Sequence, residues 1–327
     1  MGCSSPPPII HTLKYERYFS LKQLHFNNIV WSIIELPDNR IAVSVGDCSL
    51  NVISITYEHK KYKIDIRKLN AHEQPIPKLC VIPNNRLVSA SHDFSIKIWF
   101  IIQHDLIPLT HIQELNTGLN CVIPLSTLSQ IAVCSDDSLI HIIQTDEPYA
   151  IDKTITLKEC KVSCIIELSK WKEVLVASCS YYNNEQEKEG YIVLYDIKTC
   201  KQVQEMKDVF TECPSGMIEL TDGNVALTQT RDKTFISIIN PHKCVVVKDI
   251  WRSSFLQDHS GLTLLNDGSF VYIRVGSVIC VSKEYEVVVE KKIEEDVDGF
   301  CGVVPVRDGK YLVCGTTYTD IGLIILE

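Results

Sequence analysis

The sequence predicts an all-β protein, and three observations carry the prediction. Apolar residues fall in short runs rich in Ile, Val, Tyr and Phe, with no 3.6-residue periodicity. The runs are separated by turn dipeptides, among them Asp38-Asn39, Asn84-Asn85, Asp222-Gly223, Asp267-Gly268 and Asp308-Gly309. Groups of runs recur along the whole chain at a nearly constant interval.

Each repeating unit is an apolar run, a turn, a second run, another turn and a third run. Units begin near Ile33, Leu79, Cys121, Ser163, Gly216, Gly261 and Cys301. The first residues of the second runs are Ile41, Leu87, Ile131, Val174, Val225, Phe270 and Tyr311, spaced by 46, 44, 43, 51, 45 and 41 residues. That interval, about 45 residues, is the period of a four-stranded propeller blade. A fourth, more polar run follows in six units: 62–68, 106–115, 150–158, 201–207, 244–251 and 286–293. Mixed polarity suits the outer, half-solvated strand of a blade.

The seventh unit has no fourth run after it. Residues Arg17 to Asn28 supply the missing piece, because they resemble Lys63 to Gln74 in pattern and in distance from the next first run. The expected fold is a single seven-bladed β-propeller of four-stranded antiparallel blades, over residues 15–327, with the ring closed by the N-terminal strand. Closure removes an open edge that would otherwise invite aggregation. Residues 1–14 are expected to be a flexible tail.

Composition excludes several classes. The 327 residues carry 32 Lys plus Arg against 41 Asp plus Glu, a net charge of −9. Nucleic acid is therefore not the expected partner, since phosphate binding needs a basic footprint. No apolar window reaches the length of a membrane-spanning helix, and no basic-then-apolar secretory leader opens the chain. The 14 cysteines are scattered, and Cys160 and Cys164 are the one close pair, with no second pair or His at zinc-ligand spacing. With no glycosylation sequon either, the sequence reads as a cytoplasmic protein with free thiols. Cys80, Cys121, Cys134, Cys164, Cys280, Cys301 and Cys314 lie in alternating apolar runs, where cysteine serves as a small core residue.

One unit carries more specific residues. Ala71-His72 precedes it, Leu87 to Trp99 reads LVSASHDFSIKIW, Asp93 sits in its turn and Trp99 ends its third run. Tyr195-Asp196 in the fourth unit reads as a relic of a Trp-Asp pair. These units resemble the Trp-Asp (WD) repeat family of β-propellers. The resemblance implies a buried hydrogen-bonded chain through His72, either Ser89 or Ser91, Asp93 and Trp99. It also implies a non-catalytic platform for other proteins. In that reading His72 and Asp93 are structural rather than a catalytic pair, because a buried imidazole and carboxylate are tolerated when paired.

Motifs for chemistry are missing. There is no nucleophile elbow, no zinc-protease helix and no phosphate-binding loop. The acidic stretch from Glu294 to Gly299 lacks the alternating ligands of a calcium loop and reads as a solvated connection. No catalytic residue, metal, cofactor or small-molecule substrate is expected. The alternatives are a propeller subunit of a larger obligate complex, or an enzyme with its site at the channel mouth.

The expected binding surface is the propeller face made by the loops between second and third strands and between successive blades. Those loops carry Asp47, His92, Asp136, Tyr181, Tyr182, Arg231, Arg274 and Tyr318, with Trp31 and Phe300 near first-strand starts. Aromatic and Arg side chains are the usual anchors of protein interfaces. The insertion from Tyr181 to Gly190, which lengthens the fourth unit, is expected to be a polar mobile loop on the same face. Finally, the chain opens Met-Gly-Cys. Gly2 is placed for myristate and Cys3 for palmitate, although Pro6 stands where the pattern has Ser or Thr. Two acyl chains would hold the protein at the cytosolic face of a membrane.

Overall fold

A computed structural model describes residues 15–20, 28–58, 61–113, 115–127, 129–158, 160–171, 173–182, 188–210, 216–228, 234–251, 261–274, 277–292, 300–306, 311–316 and 321–326. For several strand residues, among them Tyr182, Arg274 and Phe300, it describes the backbone alone. The described secondary structure is all strand.

The chain starts with β1 (Tyr15–Ser20). Blade 1 follows as β2 (Val30–Glu35), β3 (Ile41–Val45), β4 (Ser49–Glu58) and β5 (Lys61–Asn70). Blade 2 is β6 (Lys78–Ile82), β7 (Arg86–Ala90), β8 (Ile96–Ile102) and β9 (Asp105–Ile112). Blade 3 is β10 (Leu119–Pro124), β11 (Gln130–Ser135), β12 (Leu139–Gln144) and β13 (Ile151–Thr156). Blade 4 is β14 (Lys161–Glu167), β15 (Val174–Tyr182), β16 (Lys188–Asp196) and β17 (Lys201–Phe210). Blade 5 is β18 (Gly216–Glu219), β19 (Val225–Thr228), β20 (Thr234–Asn240) and β21 (Val245–Trp251). Blade 6 is β22 (Gly261–Leu264), β23 (Phe270–Arg274), β24 (Ser277–Val281) and β25 (Val287–Lys292). The chain then forms β26 (Phe300–Val306), β27 (Tyr311–Thr316) and β28 (Ile321–Leu326).

These blades are antiparallel and four-stranded, as the sequence predicts. Six are contiguous in the chain. A further four-stranded sheet is composite: β1 joins β26–β28 in the order β1-β28-β27-β26, with Tyr18 opposite Ile324 and Ser20 opposite Gly322. The closing strand therefore runs from Tyr15 to Ser20, earlier than the expected 17–28, and residues 21–27 lie outside the described set. The first strands contact one another in the cyclic order β2, β6, β10, β14, β18, β22, β26 and back to β2. The result is a β-propeller.

The turns follow from their residues. Asn84 and Asn85 both have positive φ, at 64° and 51°, as a two-residue hairpin turn of the twist-matching type requires. Gly223 and Gly268 take φ of 90° and 86°, which a side chain would resist. Asp38, Asp222 and Asp267 each accept a hydrogen bond from the backbone N–H two residues on.

The core lies between blades. Leu36, Leu50 and Val52 of blade 1 meet Leu79, Leu87, Trp99 and Leu106 of blade 2. Similar clusters join blades 2 and 3, blades 3 to 5, and blades 5 and 6. Each fully buried Leu or Ile contributes roughly 1.5–3 kcal/mol, so the seams are the main stabilising element. Polar clasps reinforce them on the face that carries the first-to-second-strand turns. Arg40 Nη2 donates to Ile102 O at 2.7 Å, and Arg86 donates to Thr145 O and, at 2.9 Å, to Asp146. Ser126 donates to Glu167, Ser169 N–H to Glu219, and Asn224 to Tyr285 Oη.

One expectation fails on geometry. The insertion from Tyr181 is not simply a loop. β15 and β16 lengthen to pair Tyr181 with Glu189 and Tyr182 with Lys188. Consecutive tyrosines favour the extended pleat, so the extra residues continue the hairpin. Residues 183–187 lie outside the described set, as do 293–299, which include most of the acidic stretch.

Candidate functional site

Blade 2 holds the polar chain that the sequence anticipates, and the geometry decides between its serines. Trp99 Nε1–H donates to Ser89 Oγ at 3.0 Å, and Ser89 Oγ lies 2.8 Å from His72 Nε2. His72 Nδ1 lies 2.9 Å from Asp93 Oδ2. Ser89 is thus the link. Ser91 does a different job: its hydroxyl reaches the carbonyls of Gln74 and Pro75 and accepts from Asp93 N–H. The His72 side chain is fully buried and that of Asp93 is 11% exposed. Burial opposes charge on Asp93. Hydrogen bonds from His72, Ser95 and Glu73 N–H outweigh it and hold the carboxyl well below the usual carboxylate range. Ser95, at 2.6 Å from Asp93 Oδ1, was missed in the sequence. The signal was present: Asp47-Cys48-Ser49 and Asp93-Phe94-Ser95 share the spacing, and in both the aspartate accepts from the serine N–H.

All four residues of this chain lie within one blade and its incoming loop, and each is hydrogen-bonded to the next. The arrangement ties the incoming His72 loop and the third-strand Trp99 to the β7–β8 turn.

The β7–β8 turn is what the chain presents outward. His92 sits on it with its ring edge-on to Trp31 of blade 1, the centroids 5.9 Å apart and the planes at 75°. Phe94, with φ 69°, is held 46% exposed beside it in sequence. Asp136, on the β11–β12 turn of blade 3, accepts from Asn120 at 2.8 Å and from Lys161 of blade 4 at 3.1 Å. Burial raises its carboxyl, yet these bonds and the Lys161 and His92 charges lower it overall. On blade 1, Asp47 pairs with Lys68 at 2.6 Å. Burial opposes its charge too, but the bonds from Lys68 and Ser49 win. Gly46 matters here: a Cβ would meet Asn28 Oδ1 at 2.5 Å and Trp31 Nε1 at 3.3 Å, so a side chain would push on the aromatic pair.

Of the predicted face residues, the structure gathers Trp31, Asp47, His92 and Asp136 across blades 1 to 3. Tyr181 stands apart on blade 4, edge-on to Tyr191 with centroids 5.6 Å apart. Tyr182, Arg274 and Phe300 are placed by backbone alone, while Arg231 and Tyr318 lie outside the described residues, as do Gly2 and Cys3. Phe94 and exposed Ile29 belong to the face and were not singled out. Among the described residues no group of three or more His, Cys, Asp or Glu could hold a metal ion.

The model of the WD domain, G-beta repeat family matches residues 64–99, the stretch from β5 to Trp99. With the propeller arrangement of the blades, this match supports a likeness to the WD-repeat β-propeller family. Such propellers generally serve as non-catalytic scaffolds that mediate protein–protein interactions. No curated protein matches the chain.

Proposed function

We propose that the protein is a non-catalytic scaffold whose protein partner seats on the arc of Trp31, His92, Phe94 and Asp136. The observation that supports it most is the Trp31–His92 pair. Two rings from different blades are stacked edge-on at the surface, beside an exposed Phe94 that the backbone holds outward. Aromatic anchors ringed by polar groups are the composition of interaction hot spots. The flanking carboxylates Asp47 and Asp136 favour a partner segment that brings basic groups to the rim. The reading includes neither a small-molecule substrate nor nucleic acid.

The test is quantitative affinity capture from the native cell. Wild type is compared with the double variant Trp31→Ala, His92→Ala and with Trp171→Ala on the opposite face, where Trp171 stacks on His242. Partners should be lost with the first variant and kept with the second. Equal capture by all three would refute the reading.

Tethering forms a separate part of the proposal. Gly2 and Cys3 are proposed to carry myristate and palmitate, placing the ring at the cytosolic face of a membrane. Intact-mass measurement of the native protein tests it, and Gly2→Ala should move the protein to the soluble fraction. A second reading, a subunit of an obligate assembly, is favoured by one observation. Phe100 and Ile107 face each other across β8 and β9, and with Ile102 they are 41%, 46% and 40% exposed. Stoichiometric co-purification that Phe100→Ser abolishes would support it.

A further inference from the structure

Left-handed backbone is costly for a bulky residue, yet among the described Phe and Tyr residues Phe94, Tyr149 and Tyr285 adopt it, with φ of 69°, 56° and 66°. Two of them have a use within the molecule. Tyr285 Oη accepts from Asn224 Nδ2 at 2.7 Å and donates to Asp222 at the seam of blades 5 and 6. Tyr149 packs against the hydrophobic cluster of blades 2 and 3. Phe94 does neither. It is 46% exposed, it joins none of the described core clusters, and none of the described ring pairs includes it.

The β7–β8 turn holds Phe94 from both sides. Its own N–H donates to Ser91 O at 3.3 Å. Before it, Asp93 is tied to His72 and to Glu73 N–H; after it, Ser95 donates to Asp93 through both its N–H and its hydroxyl. Backbone strain persists only where surrounding bonds over-determine it. The matching turns of blades 1 and 3 place Cys48 and Ser138 at φ of 66° and 65°. There the Ser138 hydroxyl works inward, donating to Cys160 O at 2.6 Å. Blade 2 carries at this position a large ring that solvent reaches.

We propose that Phe94 is a knob that inserts into the protein partner, and that the partner supplies an apolar pocket rimmed by basic groups. This rests on the reading of the Trp31–His92 arc as the binding face, and adds to it the chemistry of the partner. The pocket follows from the ring. A benzyl group already held outward has little freedom left to lose on binding, and its burial is favourable. The basic rim follows from charge. Asp47, Glu73 and Asp93 flank the two turns of blades 1 and 2. Lys68 pairs with Asp47 and His72 is bonded to Asp93, while the exposed Glu73 carboxylate has no ion pair among the described residues. A second copy of this chain, with its net charge of −9, is a poor match for that rim.

The buried polar chain of blade 2 then has a use beyond its own blade. Trp99, Ser89 and His72 hold Asp93, and Asp93 holds the backbone on either side of the ring. The knob is thereby ordered before the partner arrives, and association does not have to order it.

The test replaces Phe94 by the photoreactive p-benzoylphenylalanine in the full-length protein, in its native cell. Irradiation should give a covalent adduct with a different protein, at apolar residues flanked by Lys or Arg. No adduct, an adduct with this chain's own sequence, or an adduct in an acidic segment overturns the proposal. Urea unfolding is a second measurement that needs no partner. Phe94→Gly removes the ring and the strain together, so its midpoint should be no lower than that of wild type. Phe94→Ala removes the ring and keeps the strain, so its midpoint should fall below that of Phe94→Gly, the reverse of the usual order. A Phe94→Gly midpoint below wild type or below Phe94→Ala overturns the proposal as well. If the Trp31→Ala, His92→Ala variant loses its partners while position 94 yields no adduct, the scaffold reading stands and the knob does not. Full retention of partners by that variant and by Phe94→Gly brings down both.

Discussion

Ser89 shows how one hydroxyl supports a whole turn. It accepts from Trp99 and bonds to His72, so Ser89→Ala strands two buried nitrogens at once. The expected cost is about 1–3 kcal/mol, read as a lower urea midpoint with unchanged slope. Ser91→Ala should weaken the hold on the incoming Gln74–Pro75 segment while leaving the Trp99 bond intact. Asp93 adds a pH signature. Its folded value is depressed, so its contribution is complete above the ordinary carboxylate range and fades as pH falls through the folded value. His141 acts earlier on the same descent. It is 8% exposed in β12, bonded to Thr154 at 3.1 Å, and burial lowers its value. Below about pH 6.5 the unfolded chain takes up this proton before the folded one does, so stability falls with pH. Replacing His141 by Asn should flatten that part of the stability curve just below about pH 6.5, and chemical unfolding across the range measures it. At this scale the sequence named His72, Asp93 and Trp99 and left two serines open. Only their depth and direction in the blade separate them, and spacing along the chain carries neither.

At the scale of elements, the second strands were the most legible. Their predicted first residues agree with the observed starts to within one position, from Ile41 to Tyr311. Turn chemistry explains that, because Asn-Asn and Asp-Gly dictate where a hairpin reverses. The blade 4 hairpin was misread because polar residues after Tyr182 look like a loop, whereas pairing in an outer hairpin needs no buried face. The clasps were invisible, since they join residues 41 to 62 positions apart. Arg86 tests their worth. Its side chain is 5% exposed and bonds Pro83 O, Thr145 O and Asp146. Arg86→Ala should cost about 2 kcal/mol by thermal or urea unfolding. Lysine should restore little of it, because an ammonium cannot reproduce a planar fork bonded to three groups.

The whole molecule is a ring whose joint is a single strand. Deleting residues 1–27 removes β1 and exposes the edge of β28, although β26 still touches β2. The shortened chain should melt several degrees lower and self-associate on size-exclusion chromatography. Deleting residues 1–14 should change neither property. The repeat made the ring legible, since seven similar units cannot each bury their faces alone. The face was legible as a set of loops, but not as a site. Trp31 and His92 lie 61 positions apart, and only the ring brings their side chains together.

The composite sheet also sets a timetable. Gly322 is synthesised some 300 residues after its partner Ser20. At roughly 5–20 residues per second, β1 waits on the order of 15–60 s before β28 exists. Throughout that interval the nascent protein is an open arc in which β1 has no partner strand, competent to pair with a neighbour on the same message. Chaperone occupancy of β1 is the natural safeguard, and the ring can close only once β28 has been made.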